Sequence, residues 1–411
     1  MNQDDKTMLA LAALTYRGFG LQSEAGVDRV LRPWLPMLEA EGLGKWELVW
    51  GPATFRTPTS LFDDAMMYMA RQARPAGQPA RYAIAIRGTN PVSMFDWVFG
   101  DFWVRLPVDW TPAGNAPAQI SASTALGMAI IQHLAAEVPP SAAGTLDSIA
   151  NALSHAVADI SKSIPEMDPN QLLNHPESLP DNKLIERIKA FTDRAGNDLR
   201  KEVFSRLSTR FGNLKALQEK TDRLALNGLL QNITGTQGRG ETLLQFLNRA
   251  VGTNVSIAVT GHSKGGALAV ATALWLAENW APSHKADIDC FPIAGPTAGN
   301  AGFAQRYNAR LAQRTRRIVN PRDIVPQAWV PEKLKSVAAF YPELSSVVSF
   351  VNNDVTPLGH THVGGELVEV SSNKVPGPLA QQLIHHHLDA YLADAHFQSP
   401  KWKAQALFTG D

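Results

Sequence analysis

Ser263 stands in the run Gly261-His-Ser-Lys-Gly265, after the β-branched Val255-Ser-Ile-Ala-Val-Thr260 and before the helix-like Ala267-Leu-Ala-Val-Ala-Thr-Ala-Leu-Trp-Leu276. A strand that turns sharply into a helix at a serine exposes its hydroxyl, and glycine on either side removes a Cβ that would strike the turn. The N–H groups after the serine head a helix and point to where negative charge gathers in acyl transfer. Such a serine needs a base to take its proton and a carboxylate to orient that base, and both are expected downstream.

Arg317-Ile-Val-Asn-Pro-Arg-Asp323-Ile-Val-Pro326 reads as a strand running into a polar turn, with Asp323 at the strand's end. An aspartate beside proline can instead bond its own backbone in a turn, and Asp354 competes for the acid role. Among the downstream histidines, His385, His386 and His387 open an amphipathic segment after the loop-like Val375-Pro-Gly-Pro378. Consecutive residues on a helix point in different directions, so at most one of the three can face the serine. A metal site built from this run with His360 and His362 fits no recognised ligand spacing, so neither a metal nor another cofactor is expected.

Together these segments resemble the class 3 lipases, the family of fungal triacylglycerol lipases and plant phospholipase A1-like enzymes. The resemblance is carried by Thr260-Gly-His-Ser-Lys-Gly-Gly-Ala-Leu-Ala269, Ala294-Gly-Pro-Thr-Ala-Gly-Asn-Ala-Gly-Phe303 and Val319-Asn-Pro-Arg-Asp-Ile-Val-Pro326. Thr361-His-Val-Gly-Gly-Glu-Leu367 and His386-His-Leu-Asp-Ala-Tyr-Leu392 extend it. Upstream, Arg81-Tyr-Ala-Ile-Ala-Ile86 ends in the Arg87-Gly-Thr89 signature, followed by Asp96-Trp97.

The resemblance implies an α/β-hydrolase fold, with a mostly parallel central sheet and a helical cap. It also implies ester hydrolysis by Ser263, Asp323 and His386, the histidine register being aligned on Leu388 and Tyr391. Thr89 and Lys264 would supply the N–H groups of the oxyanion hole, with Lys264 standing where the family usually has leucine. The implied substrates are carboxylic esters of lipids, as for a triacylglycerol lipase or carboxylesterase. Phospholipase A1-type activity is the alternative, and a non-catalytic lipase-like scaffold is the reading from another class.

In the family a helix after the oxyanion strand runs almost directly into the serine strand. Here its start resembles Ser121–His133 and its end Glu241–Ala250, and a gap this long is expected to form structure of its own. Residues 1–134 and 241–411 are therefore expected to form the core, and 135–240 a cap or lid. Within it Leu146, Ile149, Leu153, Val157, Ile160 and Ile164 form one apolar helical stripe, and Leu184, Ile188, Phe191, Ala195 and Leu199 a second. Such a lid would cover the site in water and make transient contact with a lipid interface. The aromatic Phe95-Asp-Trp-Val-Phe-Gly-Asp-Phe-Trp103 is its candidate landing surface.

Composition sets milder bounds. The 411 residues are 45% hydrophobic, and 38 Lys plus Arg balance 38 Asp plus Glu, so no global field favours nucleic acid or anionic membranes. No stretch approaches the roughly 18 apolar residues of a membrane span. The single Cys290 rules out an intramolecular disulfide framework. The first residues, Met1-Asn-Gln-Asp-Asp5, lack the basic start of a signal peptide and read as a helix cap. A cytoplasmic location is the resulting default, with signal-free secretion as the other route.

Overall fold

The computed structural model describes residues 1–17, 24–55, 65–88, 107–110, 118–136, 240–373, 375–403 and 407. The chain opens with α1 (Gln3–Leu14), α2 (Glu24–Leu31) and α3 (Leu35–Ala40), followed by β1 (Trp46–Phe55), β2 (Ala65–Gln72) and β3 (Arg81–Ile86). Short β4 (Pro107–Asp109) and β5 (Gln119–Ser121) precede α4 (Ala122–His133) and β6 (Ala135–Ala136). Then come β7 (Glu241–Thr242), α5 (Leu243–Ala250), β8 (Ser256–His262), α6 (Lys264–Asn279) and β9 (Asp287–Ile293). The last part holds α7 (Ala301–Leu311), β10 (Arg316–Val319), α8 (Pro331–Phe340), α9 (Ser345–Val355) and β11 (Glu366–Glu369). It closes with α10 (Leu379–Ile384) and α11 (Ala390–Asp394), joined by a π-turn at His385–Asp389.

Among the described residues, seven strands form one sheet in the order β1-β2-β3-β8-β9-β10-β11. The first two pairings are antiparallel and the four from β3 to β11 are parallel, the α/β-hydrolase arrangement expected. Strand alternation gives the sheet two unlike faces. Ile84, Ile86, Ile257 and Val259 pack with α4, α5, α6 and α7, while Ala83, Ala85 and Ala258 face the other way, into the core that holds α1. Small alanines let α1 approach closely, which explains why Met8 through Leu14 are buried without interruption. Side chains of the sheet fasten it: Tyr68 Oη donates to Leu11 C=O at 2.7 Å, Thr260 Oγ1 to Met8 C=O at 3.2 Å, and Arg316 Nε to Asp5 Oδ1 at 2.6 Å.

The segments expected to halve one helix are two helices, each with its own start. Ser121 Oγ accepts the Thr124 N–H ahead of α4, and Thr242 with Gln245 forms a capping box ahead of α5. Between them β6 pairs antiparallel with β7, bringing the two flanks of 137–239 side by side. The apolar stripes expected between 146 and 199 lie outside the described residues, as does the Phe95–Trp103 segment. No described helix is long and apolar enough to cross a membrane.

Candidate active site

β8 delivers Ser263 to the carboxyl end of the parallel strands, where open α/β sheets place their ligands. Ser263 has φ 62° and ψ −131°, a conformation that non-glycine residues rarely adopt and that costs on the order of 1–3 kcal/mol. The turn is held open by contacts on both sides: Ser263 N–H donates to Ile293 C=O at 2.9 Å, and Gly266 N–H donates back to Ser263 C=O at 2.8 Å. A side chain at Gly265 would overlap the Ile86 carbonyl oxygen, so the glycine lets β3 lie against the head of α6. Lys264 is the first residue of that 16-residue helix, and its side chain is half-buried.

Gly88, at the end of β3, packs on the serine itself. A Cβ there would come within 2.9 Å of Ser263 Cβ and overlap the His262 carbonyl oxygen. Thr89, the expected oxyanion donor, follows it and lies outside the described residues.

Asp323 is buried in the turn after β10, and both uses foreseen for it occur together. Its Oδ1 accepts the Val325 N–H at 3.0 Å, as a turn aspartate does, and its Oδ2 meets His387 Nδ1 at 2.8 Å. Tyr391 Oη also donates to Oδ2, at 2.9 Å, while accepting the Asn320 N–H at 2.9 Å. Asp354 lies in α9.

The register expected for the histidine is off by one, because it is His387 and not His386 that meets Asp323. His387 and Tyr391 are four residues apart, so they share a helix face and reach the same carboxylate. His386 turns away: its ring faces His385 and Tyr341, with centroids 5.1 and 6.5 Å off, and its Nδ1 has no hydrogen-bond partner among the described residues. Burial, followed by the nearby His385 and Arg322, pushes its pKa down to about 4. The π-turn leaves two carbonyls to accept side-chain donors, Asn320 Nδ2 at His386 C=O (2.8 Å) and His262 Nε2 at His387 C=O (2.7 Å).

That second bond links the serine to the histidine, since His262 immediately precedes Ser263. The His262 and His387 rings lie 4.5 Å apart, and His262 Nδ1 is 2.8 Å from Tyr16 Oη. Burial, and then His387, holds His262 well below the ordinary histidine pKa, so the ring is neutral. Tyr16, Asn320 and the His262 side chain were absent from the sequence reading. His360 and His362 do not join the His385–His387 run; His362 Nε2 donates to Pro326 C=O at 2.8 Å. Among the described residues no three His, Cys, Asp or Glu side chains are placed to hold a metal.

With this geometry in view, the family model for lipase (class 3) matches residues 194–333. The crystal structure of M37 lipase superposes with a TM-score of 0.63 at 25% identity, over 95% of this chain and 91% of that one. The chain is similar to the class 3 lipases. Two chloroplastic proteins from Arabidopsis thaliana are similar in sequence: phospholipase A1-Igamma1 is 33% identical over 147 residues, and phospholipase A1-Igamma3 is 33% identical over 151. Each match takes in 34% of this chain, and the chain spans only 27% and 26% of these two relatives. These chloroplastic relatives overturn the expected cytoplasmic location. The acidic first residues carry a folding signal: Asn2 and Asp5 form the capping box of α1.

Proposed function

We propose that the protein hydrolyses carboxylic esters of lipids through an acyl-enzyme, with Ser263 as nucleophile, His387 as general base and Asp323 as the acid that orients it. The observation that carries this reading is the contact of His387 Nδ1 with Asp323 Oδ2 at 2.8 Å, tied through His262 to the strained turn of Ser263. Oδ2 accepts from Nδ1–H, which leaves Nε2 of His387 as the lone pair that takes the serine proton. Ser263 Oγ attacks the ester carbonyl, and the oxyanion that forms is stabilised by the Lys264 N–H at the positive end of α6 and by Thr89 after Gly88. The imidazolium gives its proton to the leaving alcohol. Water, deprotonated by the same Nε2, then releases the acid and restores Ser263.

The names lipase and phospholipase A1 among the relatives support lipid esters as the substrate class. Phospholipase A1-type cleavage is the second reading, favoured by the two Arabidopsis relatives. The insertion at 135–240 is proposed as a cap on the core formed by 1–134 and 241–411, supported by the β6–β7 pair that joins its flanks. A serine-directed phosphonate should label Ser263 stoichiometrically, and hydrolysis of tributyrin, short soluble esters and phosphatidylcholine should be lost in Ser263→Ala. Absence of labelling in a folded, active preparation would remove the serine mechanism. Labelling without turnover of any ester would favour a scaffold role.

A further inference from the structure

Two buried polar side chains beside the proposed nucleophile have no part in the hydrolytic cycle, Tyr16 and His262. They come from opposite ends of the fold: Tyr16 follows α1, and His262 ends β8, 246 residues later. Placing a tyrosine hydroxyl and an imidazole in an apolar core costs free energy unless every polar atom is matched. Here both ring nitrogens are matched, and one of the partners is the main chain of the proposed base.

The direction of each bond follows from chemistry. The His387 carbonyl oxygen can only accept, so His262 Nε2 carries a proton. A neutral ring has only one, so Nδ1 is a lone pair and the Tyr16 hydroxyl donates to it. A half-turn of the ring about Cβ–Cγ would break both bonds at once. The ring is thus a strut with two fixed ends, and it meets the His387 main chain in a π-turn, a local widening of the helix. Asn320 Nδ2 holds the adjacent His386 carbonyl in the same way.

Building on the assignment of His387 as base, we propose that His262 is a positioning residue that fixes the His387 backbone, with Tyr16 anchoring its ring. The side chain of His387 is held by Asp323 at Nδ1 and its main chain by His262, so Nε2 has little freedom to drift from Ser263. Because His262 and Ser263 are neighbours in sequence, the strut ties the base to the residue bearing the nucleophile. The N-terminal helix, far from the chemistry in sequence, sets the strut's far end.

Asparagine and glutamine separate the two bonds. An asparagine amide sits near the Nδ1 position and can meet Tyr16 but falls short of His387; a glutamine amide reaches the Nε2 position and can still donate to the carbonyl. On a soluble ester, His262→Asn should lower kcat on the order of a hundredfold with KM unchanged, the scale of a small misplacement of a catalytic group. His262→Gln should stay within about tenfold of the parent. The acidic limb of kcat/KM should move in His262→Asn and hold in His262→Gln. Equal losses in the two variants, or a His262→Asn variant with parental kcat, would overturn the proposal. Should His262→Asn fail to fold, Tyr16→Phe carries the test, with kcat expected to fall about tenfold at unchanged KM; an unchanged kcat there overturns it equally. His387→Ala is the control for the assignment beneath: parental activity in that variant removes the base, whereas an inactive His387→Ala with indistinguishable Asn and Gln variants removes only the strut.

Discussion

His387 and Tyr391 donate to the same oxygen of Asp323, at 2.8 and 2.9 Å, from positions one helical turn apart. Of three consecutive histidines, this singles out one. His387→Ala and Ser263→Ala should each lower turnover on the order of a millionfold, and the double variant little further, because the pair acts as a unit. His386→Ala and His385→Ala should cost far less. Steady-state kinetics on a soluble ester checks the series, and an inactive His386→Ala beside an active His387→Ala would reverse the assignment.

Asp323 and Tyr391 should separate by size of effect. Asp323→Asn can present N–H to His387 Nδ1 and so favour the tautomer with the wrong nitrogen free, a loss of about ten-thousandfold in kcat. Tyr391→Phe removes one donor to the carboxylate and strands the buried Asn320 N–H, which costs about 1–3 kcal/mol of stability. Its kcat should fall much less than that of Asp323→Asn. Denaturant midpoints together with kcat decide this; a Tyr391→Phe variant as stable as the parent would show that the Asn320 N–H finds another partner.

Local signals announced what is local. The serine turn was legible because its chemistry needs glycine where β3 and α6 crowd together, a constraint written into five consecutive residues. Asp323 was legible because a carboxylate at a strand's end is also a turn former, and here it serves as both. The histidine that meets Asp323 stands one position from the expected one because the family register counts five residues back from Tyr391, while the shared face of a helix counts four. Asking which histidine stands four residues before the tyrosine would have picked His387. Tyr16 and His262 carry no such signal. Their pairing is made by α1 lying on the alanine face of the sheet, and a contact across 246 residues has no spacing to read.

Two buried histidines, His262 and His386, and the half-buried His362 should make the fold acid-labile. Burial is the leading cause that holds His262 and His362 well below the ordinary value and takes His386 down to about 4. In the unfolded chain each binds a proton near pH ~6.5. Between that value and the folded one the unfolded state holds more protons, so stability is fully present above about 6.5 and declines as pH falls towards the folded values. Each group contributes a slope of at most about 1.4 kcal/mol per pH unit. Urea midpoints measured from pH 7.5 down to 4.5 should fall, and His386→Gln should fall less steeply. Parallel curves for parent and variant would show that His386 does not titrate abnormally.

The strain at Ser263 leads to an opposite expectation for stability and activity. A backbone at φ 62° and ψ −131° suits glycine, which has no Cβ to clash, but it penalises serine and alanine alike. Ser263→Ala removes the hydroxyl and keeps the strain. Ser263→Gly removes both, recovering on the order of 1–3 kcal/mol against roughly 0.5–1 kcal/mol of extra chain entropy lost on folding. Both variants should be inactive, yet Ser263→Gly should melt above Ser263→Ala by about one to several degrees. Calorimetry on the two proteins side by side makes the comparison. If the glycine variant melts at or below the alanine variant, the turn is not storing strain, and the serine is held in this conformation at no cost to the fold.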